Sequence, residues 1–244
     1  KSSTINALFG TAVAKVGTGF DPETQKITEY HLENLTLWDC PGPGDNPQRD
    51  ESNEKQIVDL LQKTDEDGSL VVDVALVVLD AGQRDMTVAY HLIEKVIVPA
   101  MGCDVENRLL VGINKVDMLR GGRGWDAENN VPQDSLFPFV DAKEDSVHAR
   151  IQEATGEDVC VVSYSAGSSE DDGKQHSAYN LSTLLYALLR MLPEEKRAAL
   201  LSYANTDEQV WESNEGECRG GADGFNPLRA FGRTLLALAE SPLT

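Results

Sequence analysis

Histidine and cysteine are scarce in this chain of 244 residues, and what there is lies scattered. The four histidines (His31, His91, His148, His176) fall at no metal-ligand spacing, so neither a structural zinc site nor a catalytic histidine is expected. Cys40, Cys103, Cys160 and Cys218 form no Cys-x-x-Cys pair, which argues against a zinc ribbon or a dithiol redox motif. Three of them sit in or near apolar segments, and reduced, buried thiols are the expectation. Positive charge is also short: 21 basic residues face 41 acidic ones, a net charge of −20. That balance disfavours general nucleic-acid binding, which needs a basic surface, although a local basic patch is compatible with it. No apolar run is long enough to span a bilayer and no signal peptide opens the chain, so a cytoplasmic location is expected. The first residue is not Met, and we read the chain as N-terminally truncated.

What the sequence does contain is organised around residues 108–117, Arg-Leu-Leu-Val-Gly-Ile-Asn-Lys-Val-Asp. Leu109, Leu110, Val111 and Ile113 predict a strand buried on both faces, as in a parallel sheet. Asn114, Lys115 and Asp117 then fall at its carboxyl end, the edge where open α/β sheets bind ligands. A carboxylate accepts hydrogen bonds only, and two of them match the N1–H and exocyclic amine of guanine, a pair adenine lacks. A polar turn closing a core strand is the alternative.

Upstream, Lys1-Ser2-Ser3 runs into a segment whose Ile5, Leu8 and Phe9 share a helical face before Gly10. Lys-Ser followed by a helix matches the last positions of a phosphate loop, G-x-x-x-x-G-K-[ST]. There Lys1 would reach the β- and γ-phosphates and the Ser2 hydroxyl would ligate Mg²⁺ at a helix N-terminus. Residues 11–30 are polar and carry Thr24 and Thr28, either of which could offer a hydroxyl to Mg²⁺ and a γ-phosphate, with Thr24 favoured. Leu35 to Trp38 predict a strand that delivers Asp39 to its end. In Asp39-Cys40-Pro41-Gly42, the aspartate would hold Mg²⁺ through water and the Gly42 N–H could reach the γ-phosphate. This motif lies 38 residues after Lys1 and 75 before Asn114, an order and spacing far more specific than any one motif.

The remainder fills in an alternating pattern. A loop to about Asn53 precedes a helix carrying Ile57, Leu60 and Leu61; Leu70–Leu79 reads as the clearest buried strand. Asp80 after it reads as a turn residue, and Thr87–Val98 as a helix ending at Pro99. Residues from Arg120 to about Pro138 form an insertion too long for a connector. A helix over Glu144–Thr155, a strand over Asp158–Ser163 and a helix over Asn180–Leu192 follow. Ser165-Ala166, 51 residues after Asn114, matches a loop whose backbone N–H groups contact guanine O6. Strand–helix alternation of this kind predicts a doubly wound sheet. The last part is polar, then glycine-rich, then carries Leu228, Phe231, Leu235 and Leu238 on one helical face, expected to pack back onto the body.

Lys1-Ser2-Ser3 with Asn6-Ala7-Leu8, Asp39-Cys40-Pro41-Gly42, Asn114-Lys115-Val116-Asp117 and Ser165-Ala166 together resemble the P-loop GTPases of the Era-like branch. Gln48-Arg49-Asp50 and Trp125-Asp126 are similar to a subgroup of bacterial, often prophage-encoded, ribosome-binding GTPases. The resemblance implies a three-layer α/β P-loop fold with a mainly parallel sheet, its first strand missing. It spans a GTPase domain over 1–192, with a helical and linker extension over 193–244. It also implies GTP and GDP as ligands with Mg²⁺ held by Ser2, Thr24 and Asp39. The expected nucleotide contacts are Lys1, Ser2, Ser3, Thr24, Asp39, Gly42, Asn114, Lys115, Asp117, Ser165 and Ala166. Slow hydrolysis and a switch acting on a ribosomal particle or another protein follow from the same likeness. Pro43 stands where Ras-like proteins orient water with glutamine, so no catalytic residue is assigned. The alternative is a non-enzymatic remnant that keeps the fold without phosphate binding.

Overall fold

The computed structural model describes residues 1–10, 27–41, 47–169, 175–176, 178–207 and 209–212. At its centre is a parallel sheet of three strands, in which Ala75–Asp80 (β3) and Cys160–Ser163 (β7) flank Leu109–Asn114 (β4). Every residue of β4 is buried. Its side chains alternate between two cores. Leu109, Val111 and Ile113 join Ile57, Leu61, Ile93, Val96 and Ile151 on one face, while Leu110 joins Leu8, Phe9, Leu181, Leu184 and Leu185 on the other. An apolar strand with helices on both faces is the three-layer α/β arrangement that the alternating pattern predicts.

The helices follow their amphipathic spacing. Ser2–Phe9 (α1) buries Thr4, Leu8 and Phe9, and stops at Gly10, whose φ of 69° is easily reached only by glycine. Pro47–Leu61 (α2) begins earlier than the loop expected up to Asn53, because a proline suits the first helical turn, where an N–H has no partner anyway. The next helix starts at Thr87–His91 (α3), widens into a π-helical stretch over Leu92–Ile97 and closes over Val98–Met101. It therefore runs past Pro99, where a stop was expected; the hydrogen-bond ladder is already irregular where the proline removes its donor. Phe137–Thr155 (α4) likewise starts about two turns before the predicted helix, with Pro138 in its first turn.

Two further expectations change. Only Ala75–Leu79 of the apolar run 70–79, continuing to Asp80, is strand, and most of it is half-buried, since among the described residues β3 has a hydrogen-bonded neighbour on one side only. Leu70 instead bridges to Thr64. Cys103 and Cys160 are exposed and Cys40 is intermediate, contrary to the buried thiols expected; Cys160 opens the edge strand and Cys103 follows a helix end. Cys218 lies outside the described residues.

Thr28–Leu32 (β1) and Leu35–Asp39 (β2) form an antiparallel hairpin, with Thr28 opposite Asp39. Its Tyr30, Leu35 and Leu37 pack toward the second core and Trp38 toward the first. After β4 the chain makes a 3-10 turn over Val116–Gly121 and a short hairpin of Trp125–Asp126 (β5) and Val131–Pro132 (β6). Ser168–Ser169 (β8) and Gln175–His176 (β9) pair beyond β7. Leu181–Met191 (α5), Glu194–Ser202 (α6) and Gln209–Glu212 (α7) finish the described chain. Leu200, Leu201, Ala204 and Trp211 are buried in the second core beside α1. Asn205 donates from its backbone and side chain to the carbonyls of Leu8 and Ala7 at 2.8 and 3.1 Å. The expected apolar helix of Leu228 to Leu238 lies outside the described residues. Among those described, no helix is long and apolar enough to cross a membrane.

Gly112 sits in the middle of β4, where a Cβ would meet the Tyr164 ring at 2.8 Å. The strand thus needs glycine for close approach of a side chain, not for backbone freedom. Gly112→Ala is expected to lower unfolding free energy by about 1–3 kcal/mol in urea titration; an unchanged midpoint would contradict this packing.

Candidate functional site

The carboxyl ends of β3, β4 and β7 meet at one edge. Asn114 and Asp80 are register partners there, and Tyr164 continues the ladder by donating its N–H to Ile113. Asn114 is 4% exposed. Its Oδ1 accepts the Lys115 N–H at 2.8 Å and the Ala166 N–H at 2.9 Å. One amide oxygen therefore ties the end of β4 to the loop that follows β7. Through it the segment Asn114 to Asp117 is joined to the Ser165-Ala166 segment, Ala166 being 52 residues after Asn114 in sequence.

Lys115 adopts the left-handed conformation (φ 64°, ψ 41°), uncommon for a side chain with a Cβ. The Asn114 bond holds its backbone, and its ammonium reaches Asp80 Oδ2 at 2.6 Å. Asp80 also accepts the Gly82 N–H at 2.9 Å, so it is the turn residue expected and a partner of the site lysine as well. Burial pushes the Asp80 carboxyl up, but the bonds from Lys115 and Gly82 and the charges of Lys115 and Lys143 outweigh it and hold it below its ordinary value.

Asp117 follows in the 3-10 turn, and its Oδ1 is buried without a hydrogen-bond partner. A buried carboxylate oxygen left unpaired costs free energy, and natural proteins tolerate it where a ligand supplies the donor. The Ala166 N–H, assigned to guanine O6 from sequence, is already bonded to Asn114, so a ligand contact there must share or exchange that bond. The neighbouring N–H groups of Ser165 and Gly167 go to the Tyr179 carbonyl (3.0 Å) and Ser165 Oγ (3.3 Å).

The residues expected to meet the phosphates gather at the end of β2. The Lys1 ammonium donates to the Cys40 carbonyl. Burial lowers its pKa while Asp39 and Cys40 oppose that shift. Ser2 and Ser3 are exposed at the start of α1, where first-turn N–H groups lack intrahelical acceptors. Thr28, the lesser threonine candidate, faces Asp39 across the hairpin. Thr24, Gly42 and Pro43 lie outside the described residues.

Sequence reasoning missed Tyr164 and Thr4. Tyr164 is fully buried, and its hydroxyl and Thr4 Oγ1 are 2.8 Å apart, joining α1 on the phosphate side to the loop on the base side. Burial pushes this phenol up, so it stays neutral. A tyrosine next to Ser165 at the end of an apolar strand was the available signal, but only the fold shows that it reaches α1.

A family model described as "50S ribosome-binding GTPase" matches residues 1–114. The match makes the segment from Lys1 to Asn114 similar to a GTPase family. It ends at Asn114, so Asp117, Ser165 and Ala166 rest on the geometry above. Among solved structures, the chain is similar to one titled "LeoA bacterial dynamin GTPase from ETEC", at 13% identity and a TM-score of 0.49 over 82% of this chain. The chain spans 35% of that protein's length. A second, "Crystal structure of a probable GTP-binding protein engB", is 20% identical with a TM-score of 0.43, covering 78% of this chain and 91% of the other. A search of the curated proteins finds no match.

The Lys115–Asp80 pair is partly exposed and screened, so Asp80→Asn should cost less than about 1 kcal/mol near neutral pH. A depressed carboxyl stabilises the fold above its unfolded pKa and stops doing so as pH falls through the folded one. The difference between wild type and variant in urea titrations should therefore fade below the ordinary carboxylate range. A difference that persists unchanged at the lowest accessible pH would contradict the ion pair.

Proposed function

We propose that the chain binds a guanine nucleotide at the carboxyl edge of its sheet and hydrolyses GTP to GDP slowly, as a switch acting on a macromolecular partner. The observation that carries this is the buried, unpartnered Oδ1 of Asp117, beside the Asn114 bridge to the Ser165-Ala166 loop. Guanine supplies what that carboxylate lacks, two parallel donors on one edge. Lys115 would lie along the base, anchored by Asp80, and Lys1 would meet the terminal phosphates.

Ser2 and Asp39 would hold Mg²⁺, with Thr24 joining them in the triphosphate state. A hydroxyl and a carboxylate suit this ion, which keeps much of its water and takes its other ligands from phosphate. When bound, the ion neutralises charge that develops on the phosphate oxygens. With Pro43 in place of a water-orienting glutamine, the rate would rest on Lys1 and on backbone donors such as Gly42. A ribosomal particle as its partner is in keeping with the description of the matched family, and the Era-like branch rests on the motif resemblance in the sequence. The acidic surface suits a basic protein face on such a particle better than bare RNA.

Isothermal titration with Mg²⁺ and GDP, GTP or xanthosine triphosphate tests the assignment. Asp117→Asn should weaken GTP binding by about ten- to a hundredfold and favour the xanthine nucleotide, whose C2 carbonyl accepts from the new amide. Unchanged GTP affinity would sink the base-pocket role. Lys1→Ala should abolish triphosphate binding, and retained tight binding would refute its phosphate role. Guanine-nucleotide binding without turnover in a phosphate-release assay would favour the non-enzymatic reading.

A further inference from the structure

We infer that the hairpin inserted after Asp117 is a positioning element of the base pocket, with Trp125 as its positioning residue; this rests on the guanine site proposed above. The insertion leaves the 3-10 turn that carries Asp117, and Trp125 donates its N–H to the Gly122 carbonyl at 3.3 Å. The hairpin is closed further by Gln133 donating to the Gly124 carbonyl at 2.8 Å. From there Trp125 meets the Tyr179 ring edge-on, with centroids 5.2 Å apart and planes at 89°. Asn130 Nδ2 adds a hydrogen bond to the Ala178 carbonyl at 3.1 Å.

Tyr179 is no bystander. Its backbone exchanges two hydrogen bonds with Ser165, at 3.0 and 2.8 Å, and so closes the loop that contains Ser165 and Ala166. The two loops that would contact guanine, one after β4 and one after β7, are therefore clamped twice. Asn114 Oδ1 joins them at the base, and the Trp125–Tyr179 contact joins them about a dozen residues further out. Both rings are half-buried against the first core, so the clamp is anchored to the body of the protein. An edge-to-face aromatic pair of this geometry contributes beyond its buried area. Its consequence is pre-organisation: with the Ala166 N–H and the Asp117 carboxylate fixed relative to each other, less ordering is left for the nucleotide to impose.

Trp125 acts through Tyr179 rather than through the reading carboxylate, which separates its effect from that of Asp117. In the full chain, Trp125→Ala should weaken GDP and inosine diphosphate binding by the same factor, roughly two- to tenfold. The GDP-to-IDP ratio should hold, because Asp117 still reads the 2-amino group. Amide exchange at Ser165 and Tyr179 should quicken in the nucleotide-free protein while β4 stays protected, and Trp125→Phe should restore both properties. Unchanged affinity and unchanged exchange in Trp125→Ala overturn the inference. If exchange rises throughout β4 as well, the variant is globally loosened and Asn130→Ala decides. Faster exchange at Tyr179 with weaker GDP binding then supports the clamp, and wild-type values overturn it. Failure of the guanine site itself looks different: the wild-type protein would then bind GDP and IDP equally or not at all.

Discussion

The Asn114 side-chain oxygen, accepting at once from Lys115 and Ala166, is the interaction on which the rest of the edge depends. It sits at the end of β4, a strand buried along its whole length, so its position is set by packing on both faces. A 4% exposed amide that bonds two backbone N–H groups has little freedom, and removing it would strand two donors. Lys115 can hold a left-handed backbone because this bond and the Asp80 ion pair both favour it. Asp117, two residues on, is thereby placed with one oxygen buried and unpaired.

The same strand organises the folding energetics. Alternate residues of β4 feed two apolar cores, and Gly112 leaves on one face the space that Tyr164 fills. Tyr164 then reaches Thr4, so α1 is tied to the β7 edge by a buried hydroxyl pair as well as by packing. Trp211 and the Asn205 bonds hold the last described helices against the C-terminal end of α1. The phosphate-side helix is thus held at two points by groups far away in sequence.

Much of this was legible from residues alone where the signal was local. The continuous burial of Leu109–Asn114, the strand leading to Asp39 and the leucine face of Leu181–Met191 each follow from the local run or spacing of apolar residues. What could not be read was pairing at a distance. Leu70–Leu79 is apolar at every position but Asp73, yet only its second half finds a partner strand. Proline at 47, 99 and 138 suggested breaks, but helices begin at or run through all three, because position within the turn decides what a proline costs. Asp80 read as a turn and is also a lysine partner, and Trp125 read only as part of an insertion, because a ring's partner 54 residues away leaves no trace in local pattern.

The central claim is that the lone Asp117 oxygen reads the 2-amino group of guanine. The most direct test is the affinity of the wild-type protein for GDP against inosine diphosphate, which differs only in lacking that amine. If the carboxylate makes the contact, IDP should bind about ten- to a hundredfold more weakly, the worth of a hydrogen bond to a buried charge. Equal affinities for the two nucleotides would contradict it.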